Sequence, residues 1–433
     1  MRLCYRSVPL LLALSAPSLH AQDDWGEDVW AEPGQQEIRL HGFVELAAGG
    51  RIDNDPVLAD DDLSLAEFRS RLELETYADT VRLSAKLDLY ADGVEPGAHL
   101  DIRESLADIS LADNADLRLG HQVLTWGTGD LLFLNDLFAK DWQSFFSGRD
   151  DEYLKAPSTS LKLSLYGQKA SLDLVWTPEL TPDRFINGER FSYFSAGAGQ
   201  QVAAPENKID PTEPKQRLAN GELAARLYGR RDLGSGSATE WALYAYRGYW
   251  KQPNAINADG EPYFSRLNSL GASLRGNLAR GIAHAELAWY QGQDHQGNDP
   301  RLPNDQLRLL LGYEQELAPR LTLGLQYYLE RTLDYDALSE NDSGSVYRVD
   351  EHRQLWTMRL SYRAMQDRLS LSWFSFYSDT DQDAYHRPSL SYKFNDNLNL
   401  TLGANLFSGA QPHSFFGQFD QADNVYARLR FSY

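Results

Sequence analysis

Val425-Tyr426-Ala427-Arg428-Leu429-Arg430-Phe431-Ser432-Tyr433 ends the chain, and its pattern decides the fold. In an extended strand successive side chains point to opposite faces. Val425, Ala427, Leu429, Phe431 and Tyr433 therefore share one apolar face, while Tyr426, Arg428, Arg430 and Ser432 share a polar one. As the last strand of a soluble sheet, this segment would be an exposed and sticky edge, which natural sequences avoid. Closure into a barrel removes the edge by pairing the last strand with the first.

The same period-2 alternation recurs upstream, from residue 37 onward. Ile38, Leu40, Gly42 and Val44 alternate with Arg39, His41, Phe43 and Glu45. Phe68, Leu72 and Leu74 alternate with Glu67, Arg69, Arg71, Glu73 and Glu75, and Val81 to Leu89 alternate with Arg82, Ser84, Lys86 and Asp88. A water-soluble sandwich would alternate too, so the period alone does not decide. The connections do. Short turns are expected near Asp79, Asp113-Asn114, Gly167-Gln168, 231–237, 279–281, Ala318-Pro319, Gln366-Asp367 and 395–397. Longer loops are expected near 48–62, 92–98, 126–157, 178–218, 250–266, 293–304, 333–352, 379–387 and 409–423. Strict long–short alternation is the rhythm of a transmembrane barrel with turns on one side and loops on the other. The reading is an all-β, antiparallel up-and-down transmembrane β-barrel of about 18 strands, with both chain ends on the turn side.

The N-terminus fits a secreted protein. Arg2 and Arg6 precede an apolar run from Val8 to Ala16, and Ala21 closes the segment, the layout of a signal peptide over 1–21. The run is about half of the roughly 20 residues a membrane helix needs. The only cysteine, Cys4, lies inside this leader, so no disulfide, thiolate nucleophile or Cys-based metal site is expected afterwards. Residues 22–36 form an acidic tail or small plug on the periplasmic side, with Trp25 and Trp30, and the barrel occupies 37–433. The formal charge is −21, which argues against nucleic acid as a partner, because that binding runs on phosphate neutralisation by Lys and Arg. Aromatic pairs such as Tyr249-Trp250 and Tyr327-Tyr328 sit near expected strand ends, where interfacial girdles form.

The terminal strand resembles the insertion signal of Gram-negative outer-membrane barrels. The strand number and loop rhythm over 37–433 resemble the 18-stranded porin-like families, both substrate-specific and polymer-export porins. Leu119-Gly120-His121-Gln122, followed by Trp126-Gly127, is similar to a stretch in poorly characterised proteobacterial barrels. The resemblance implies a bacterial outer-membrane location, the barrel-insertion machinery and outer-membrane lipids with lipopolysaccharide as partners, and a small polar solute as cargo. It leaves monomer and homotrimer open.

Function is expected in the loop 127–157. Leu131 to Leu134, Leu137, Phe138, Trp142, Phe145 and Phe146 make it too apolar to be left in water. Folded inward, it would bury that face and turn Asp130, Asp136, Lys140, Asp141, Arg149, Asp150, Asp151 and Lys155 toward the pore. In porins the loop after the fifth strand narrows the channel in this way. Arg39, Glu67, Arg69, Arg71, Glu73, Arg82, Arg118, Arg226, Arg359, Arg428 and Arg430 fall on the polar face and would line the wall. Two roles are open for them: rings of basic groups that draw anions, or Arg–Glu rows that brace the wall by cross-strand pairing. The nine histidines show no His-X-X-X-His spacing, and no Gly-X-Ser-X-Gly or phosphate loop appears. No catalytic residue, metal or cofactor is expected. The expected function is a channel for passive or selective diffusion of polar solutes. The alternatives are an exit duct or scaffold working with envelope partners and, further off, a barrel hydrolase.

Overall fold

The computed structural model describes residues 38–58, 62–215, 217–234, 237–341, 347 and 349–433. The expected leader 1–21 and the tail 22–36 lie outside the described residues.

Eighteen strands form one antiparallel sheet that closes on itself. They are β1 Arg39–Arg51, β2 Leu63–Ala78, β3 Val81–Asp92, β4 Gly97–Ala112, β5 Ala115–Val123 and β6 Pro157–Tyr166. Then come β7 Ser171–Thr177, β8 Glu222–Gly234, β9 Ser237–Tyr249, β10 Arg266–Leu278, β11 Gly281–Gln291 and β12 Gln306–Ala318. The last six are β13 Leu321–Thr332, β14 His352–Ala364, β15 Leu369–Ser378, β16 Asp383–Lys393, β17 Leu398–Gly409 and β18 Asn424–Ser432. Each strand pairs with its neighbour in sequence, and β18 pairs with β1 from Phe43↔Ser432 to Arg51↔Asn424. No backbone row of the wall is left as a free edge, which is what a sheet in hydrocarbon requires. At the seam Gly42 and Tyr433 exchange backbone hydrogen bonds of 3.1 and 3.0 Å. The Tyr433 hydroxyl donates to the Arg71 carbonyl at 3.2 Å, across a space that a side chain on Gly42 would fill.

Alternation sorts the faces. Leu40, Leu46, Phe68, Leu89 and Leu100 are all more than half exposed on the outside, whereas Glu45, Glu67, Arg69, Arg71 and Asp88 are buried inside. The inversion of the soluble pattern follows from a solvent that is hydrocarbon outside and polar within. At one end of the barrel, the turn end, strands join through short links such as 79–80, 113–114, 279–280 and 319–320. At the other, the loop end, the connections are longer, with two exceptions: 93–96 and 379–382 are as short as turns. The expected 379–387 loop is cut back because β16 already begins at Asp383. Pro388 reads as a strand breaker, yet it sits in the wall. The β16–β17 ladder runs as far as His386↔Leu406 and resumes at Ser389↔Gly403, so the missing N–H interrupts one ladder only locally.

The apolar core lies inside the barrel rather than between layers. Residues of the 124–156 connection pack with inward aromatics of the wall, including Tyr290, Tyr328, Phe374, Phe376, Tyr385 and Phe407.

Candidate functional site

After Val123 the chain leaves the wall and crosses the lumen before rejoining it at Pro157. Its first anchor is Glu286 on β11. The amides of Thr128 and Gly129 donate to this carboxylate (Gly129 at 2.9 Å), as does the Thr128 hydroxyl, and the Asn135 amide donates to its second oxygen at 2.7 Å. The next anchors are on β13 and β14. Asp130 exchanges backbone hydrogen bonds of 2.8 Å with the Gln326 side chain, and its carboxylate takes two bonds from Arg359, at 2.5 and 2.8 Å.

The apolar stretch follows. Lys140 folds back on Asp136 at 2.9 Å and onto the Phe138 carbonyl at 2.7 Å, so this pair is consumed within the loop. Asp141 accepts from the Ser144 amide at 2.8 Å and caps the one-and-a-half-turn helix α1, Trp142–Ser147. Phe145 and Phe146 project from α1 into the wall aromatics. The Phe146 ring lies 5.1–5.4 Å from those of Phe419, Tyr385 and Phe407, mostly edge-on, a favoured geometry for aromatic pairs. The helix stops at Gly148, whose φ of 88° suits glycine, and a side chain there would strike the Tyr426 ring.

Past Gly148 every residue up to Tyr153 reaches the wall. Arg149 binds Glu67 and Asp92, Asp150 binds Arg428 at 2.8 Å, and Asp151 binds Arg387 at 2.7 Å. Glu152 binds Arg71 at 2.8 Å. The buried Tyr153 hydroxyl donates to Asp88 at 2.6 Å and accepts from Arg71 at 2.8 Å. Burial pushes the Tyr153 phenol up, so it stays protonated as that donor. Burial also opposes ionisation of Asp150, but Arg428 and Arg430 outweigh it and hold the carboxyl below its ordinary range. The second long connection, 178–221, joins in. Its Arg184 bridges Asp101 at 2.7 Å to Asp141 at 3.2 Å, and its fully buried Arg190 binds Asp92 and Glu95. Burial raises the Asp183 carboxyl, which accepts from the Lys140 amide at 2.7 Å and the Trp142 indole at 2.8 Å.

The loop's charges thus fall into two groups. Asp136, Lys140 and Asp141 are buried and spent on partners within the loops; Asp130, Arg149, Asp150, Asp151 and Lys155 are partly or fully exposed. The wall charges are matched. Arg69 lies on Glu67 and Asp88, Arg71 on Asp88 with Glu73 at 3.8 Å, and Arg82 on Glu75 and Asp108. Arg118 shares Asp108, Arg226 binds Asp173 at 2.7 Å, and Arg430 binds Glu45 at 2.8 Å. Arg39 is exposed at the first residue of β1. Sequence reasoning passed over Arg184, Arg190, Arg387 and Tyr153. Arg387 stood in a segment expected to be loop, and irregular loops offer no period by which an inward residue could be recognised.

Chambers remain on both sides of the loop. Toward the turn end, a cavity of about 530 Å³ is bordered by Lys169, Arg226, Arg230 and Arg275, with Glu240, and one of about 330 Å³ by Arg82, Arg118 and Lys162 with an equal number of carboxylates, Asp79, Asp108 and Asp116. Toward the loop end, a cavity of about 420 Å³ has an apolar floor.

Comparison with known proteins agrees with this architecture. The solved structure of Pseudomonas aeruginosa OccK3 (OpdO) is 12% identical, with a TM-score of 0.54 over 92% of this chain and 95% of that one. The outer membrane protein opdK of the same species is 11% identical, with a TM-score of 0.53 over 92% and 98%. Pseudomonas aeruginosa OccK2 (OpdF), solved in complex with glucuronate, is 12% identical, with a TM-score of 0.53 over 92% and 97%. At such identities the likeness is one of fold. No curated protein matches the sequence. Residues 106–373 match the model of a family described as "Protein of unknown function (DUF1302)". That span is more than half of the chain and runs from β4 to β15, and the chain belongs to the DUF1302 family.

Proposed function

We propose that the protein is a porin-like channel of the bacterial outer membrane, through which small polar solutes diffuse with a preference for anions. Residues 1–21 direct secretion, 22–36 form a periplasmic tail or small plug, and the barrel from 37 carries the pore, with 127–157 as its constriction. The exposed outer leucines meet lipid, and the turn end faces the periplasm. One observation carries the reading: a closed barrel keeps solvent-reachable, arginine-bordered chambers at its turn end, below a loop that crosses the lumen. Of the four cations bordering the larger chamber, Arg226 pairs with Asp173 and Arg230 lies 3.5 Å from Asp232; against Lys169 and Arg275 stands one bordering carboxylate, Glu240, and such a surplus biases a pore toward anions. The name of a fold neighbour solved with glucuronate is in keeping with an anionic solute.

The test is single-channel recording from refolded protein in a planar bilayer under a salt gradient. Steady conductance with an anion-selective reversal potential, shifted toward zero by Arg226→Gln with Arg275→Gln, supports the reading. A cation-selective or unshifted potential removes the anion preference.

The loop favours a second reading. Its anchors lie on β2, β3, β11, β13, β14, β16 and β18, so it spans most of the circumference. A barrel so crossed would suit an exit duct or scaffold that is closed alone and opened by an envelope partner. A folded but silent barrel selects this second reading over the first.

A further inference from the structure

The cavity toward the loop end differs in chemistry from the chambers below the loop. Its floor is Leu131, Leu132, Phe133 and Leu137 of the crossing segment, all half-buried, and Trp250, Tyr290 and Phe376 stand around it. Four cations border it, and each is already matched to a carboxylate. Lys140 has Asp136 at 2.9 Å, Lys251 has Glu222 at 2.6 Å, Arg308 has Glu330 at 3.0 Å and Arg353 has Asp381 at 2.6 Å. Three bordering residues carry a buried N–H group with no hydrogen-bond partner among the described residues: the Trp250 indole, the Asn254 amide and one Arg353 guanidinium nitrogen. All three groups can only donate.

We infer that this cavity binds an uncharged, largely apolar solute bearing a hydrogen-bond-accepting oxygen, such as a carbocyclic ketone. The inference rests on the channel reading in one respect, that solute reaches the barrel from its loop end, and names a class other than the polar, anionic one proposed for the chambers below the loop. An ionic solute would lose its hydration on a leucine and phenylalanine floor with no uncommitted countercharge to replace it. A sugar-like solute would leave hydroxyls unpaired on the same floor. A compact apolar body removes that floor from water, and one acceptor oxygen offers a partner, after a small side-chain shift, to a donor that the protein leaves unsatisfied beside the cavity. The volume of about 420 Å³ admits a polycyclic skeleton.

The test uses full-length protein in detergent-free lipid nanodiscs, since detergent would itself fill the cavity, with empty nanodiscs as the partition control. Adamantanone, adamantane carboxylate and glucuronate are titrated by calorimetry. Saturable one-to-one binding of the ketone is expected, at least about ten-fold tighter than the carboxylate, with no saturable glucuronate signal. Trp250→Phe, which removes one orphan donor and keeps the ring, should weaken ketone binding by about ten-fold, the order of one hydrogen bond. Leu132→Asp should abolish it. Equal or tighter binding of either anion overturns the inference. So does unchanged ketone affinity in both variants, once heat-modifiable mobility has shown them folded. Bilayer recording of the same preparation separates the two readings. A conducting barrel that ignores the ketone refutes this site alone, and a silent barrel that binds it refutes the channel alone.

Discussion

Truncating Phe146 to alanine probes what holds the loop across the lumen. The side chain is 1% exposed and its ring meets six others, those of Trp142, Phe145, Phe191, Tyr385, Phe407 and Phe419, at centroid distances of 5.1–6.4 Å. Phe→Ala at such a site costs about 3–5 kcal/mol, combining lost transfer energy with the cavity left behind. That loss falls on docking of the loop and not on the wall, whose strands pair by backbone hydrogen bonds independent of this ring. At 1.4 kcal/mol per decade, the ratio of undocked to docked loop should rise by about two to three and a half orders of magnitude. Two assays read it. Phe146→Ala barrels should show a higher open-channel current than wild type. Protease added from the loop side should cleave between residues 131 and 156 at least about a hundred-fold faster. Leu46→Ala, on the lipid-facing side, serves as the control and should change neither. Unchanged current and cleavage in folded Phe146→Ala protein would refute the claim that the aromatic cluster docks the loop.

Tyr153→Phe removes one hydroxyl that serves both Asp88 and Arg71, while Arg71 keeps Asp88 and Glu152. Bonds to charged groups are worth about 1.5–3 kcal/mol, so cleavage of the loop should quicken by about ten- to a hundred-fold, less than for Phe146→Ala. Asp150 has a depressed carboxyl, so its contribution is present above the ordinary carboxylate value and is lost as pH falls through the lower folded-state value. Protease sensitivity of the loop should therefore be flat from neutral pH to about pH 4 and rise below it, and Asp150→Asn should show the fast rate at neutral pH. Asp423 is the opposite case: burial, with Asp53 and Asp420 nearby, raises its carboxyl to about 6. Its contribution is full below the ordinary value and lost progressively as pH rises through about 6, so Asp423→Asn should raise the melting temperature most at pH 8 and distinctly less at pH 5. Equal shifts at both pH values would refute that assignment.

Much of the fold is written in local pattern. Val425 to Tyr433 announces a strand with one face for lipid, and β18 pairs with β1 because a polar–apolar ribbon in hydrocarbon has no other way to satisfy its edge. The alternation of turns and loops supplies the strand number and sets the barrel's two ends apart. Pro388 can stay within a strand because a ladder tolerates one absent donor when its neighbours hold.

The sequence by itself also determined that residues 131–146 could not stay in water, since their apolar content demands cover. Only the tertiary structure decided what covers them and where the charges go. Glu286 gathers amides from residues 151 to 158 positions away, Asp151 meets Arg387 across 236 positions, and Asp150 meets Arg428 across 278. No periodicity encodes such pairs, because they form between a loop without regular spacing and a wall whose inward residues all look alike in sequence. The same long-range packing turned a mixed list of leucines, aromatics and cations into an apolar chamber above the loop and arginine-bordered ones below it. Alternation tells which side of the wall a residue faces. Which of its neighbours across the lumen neutralises it depends on three-dimensional proximity alone.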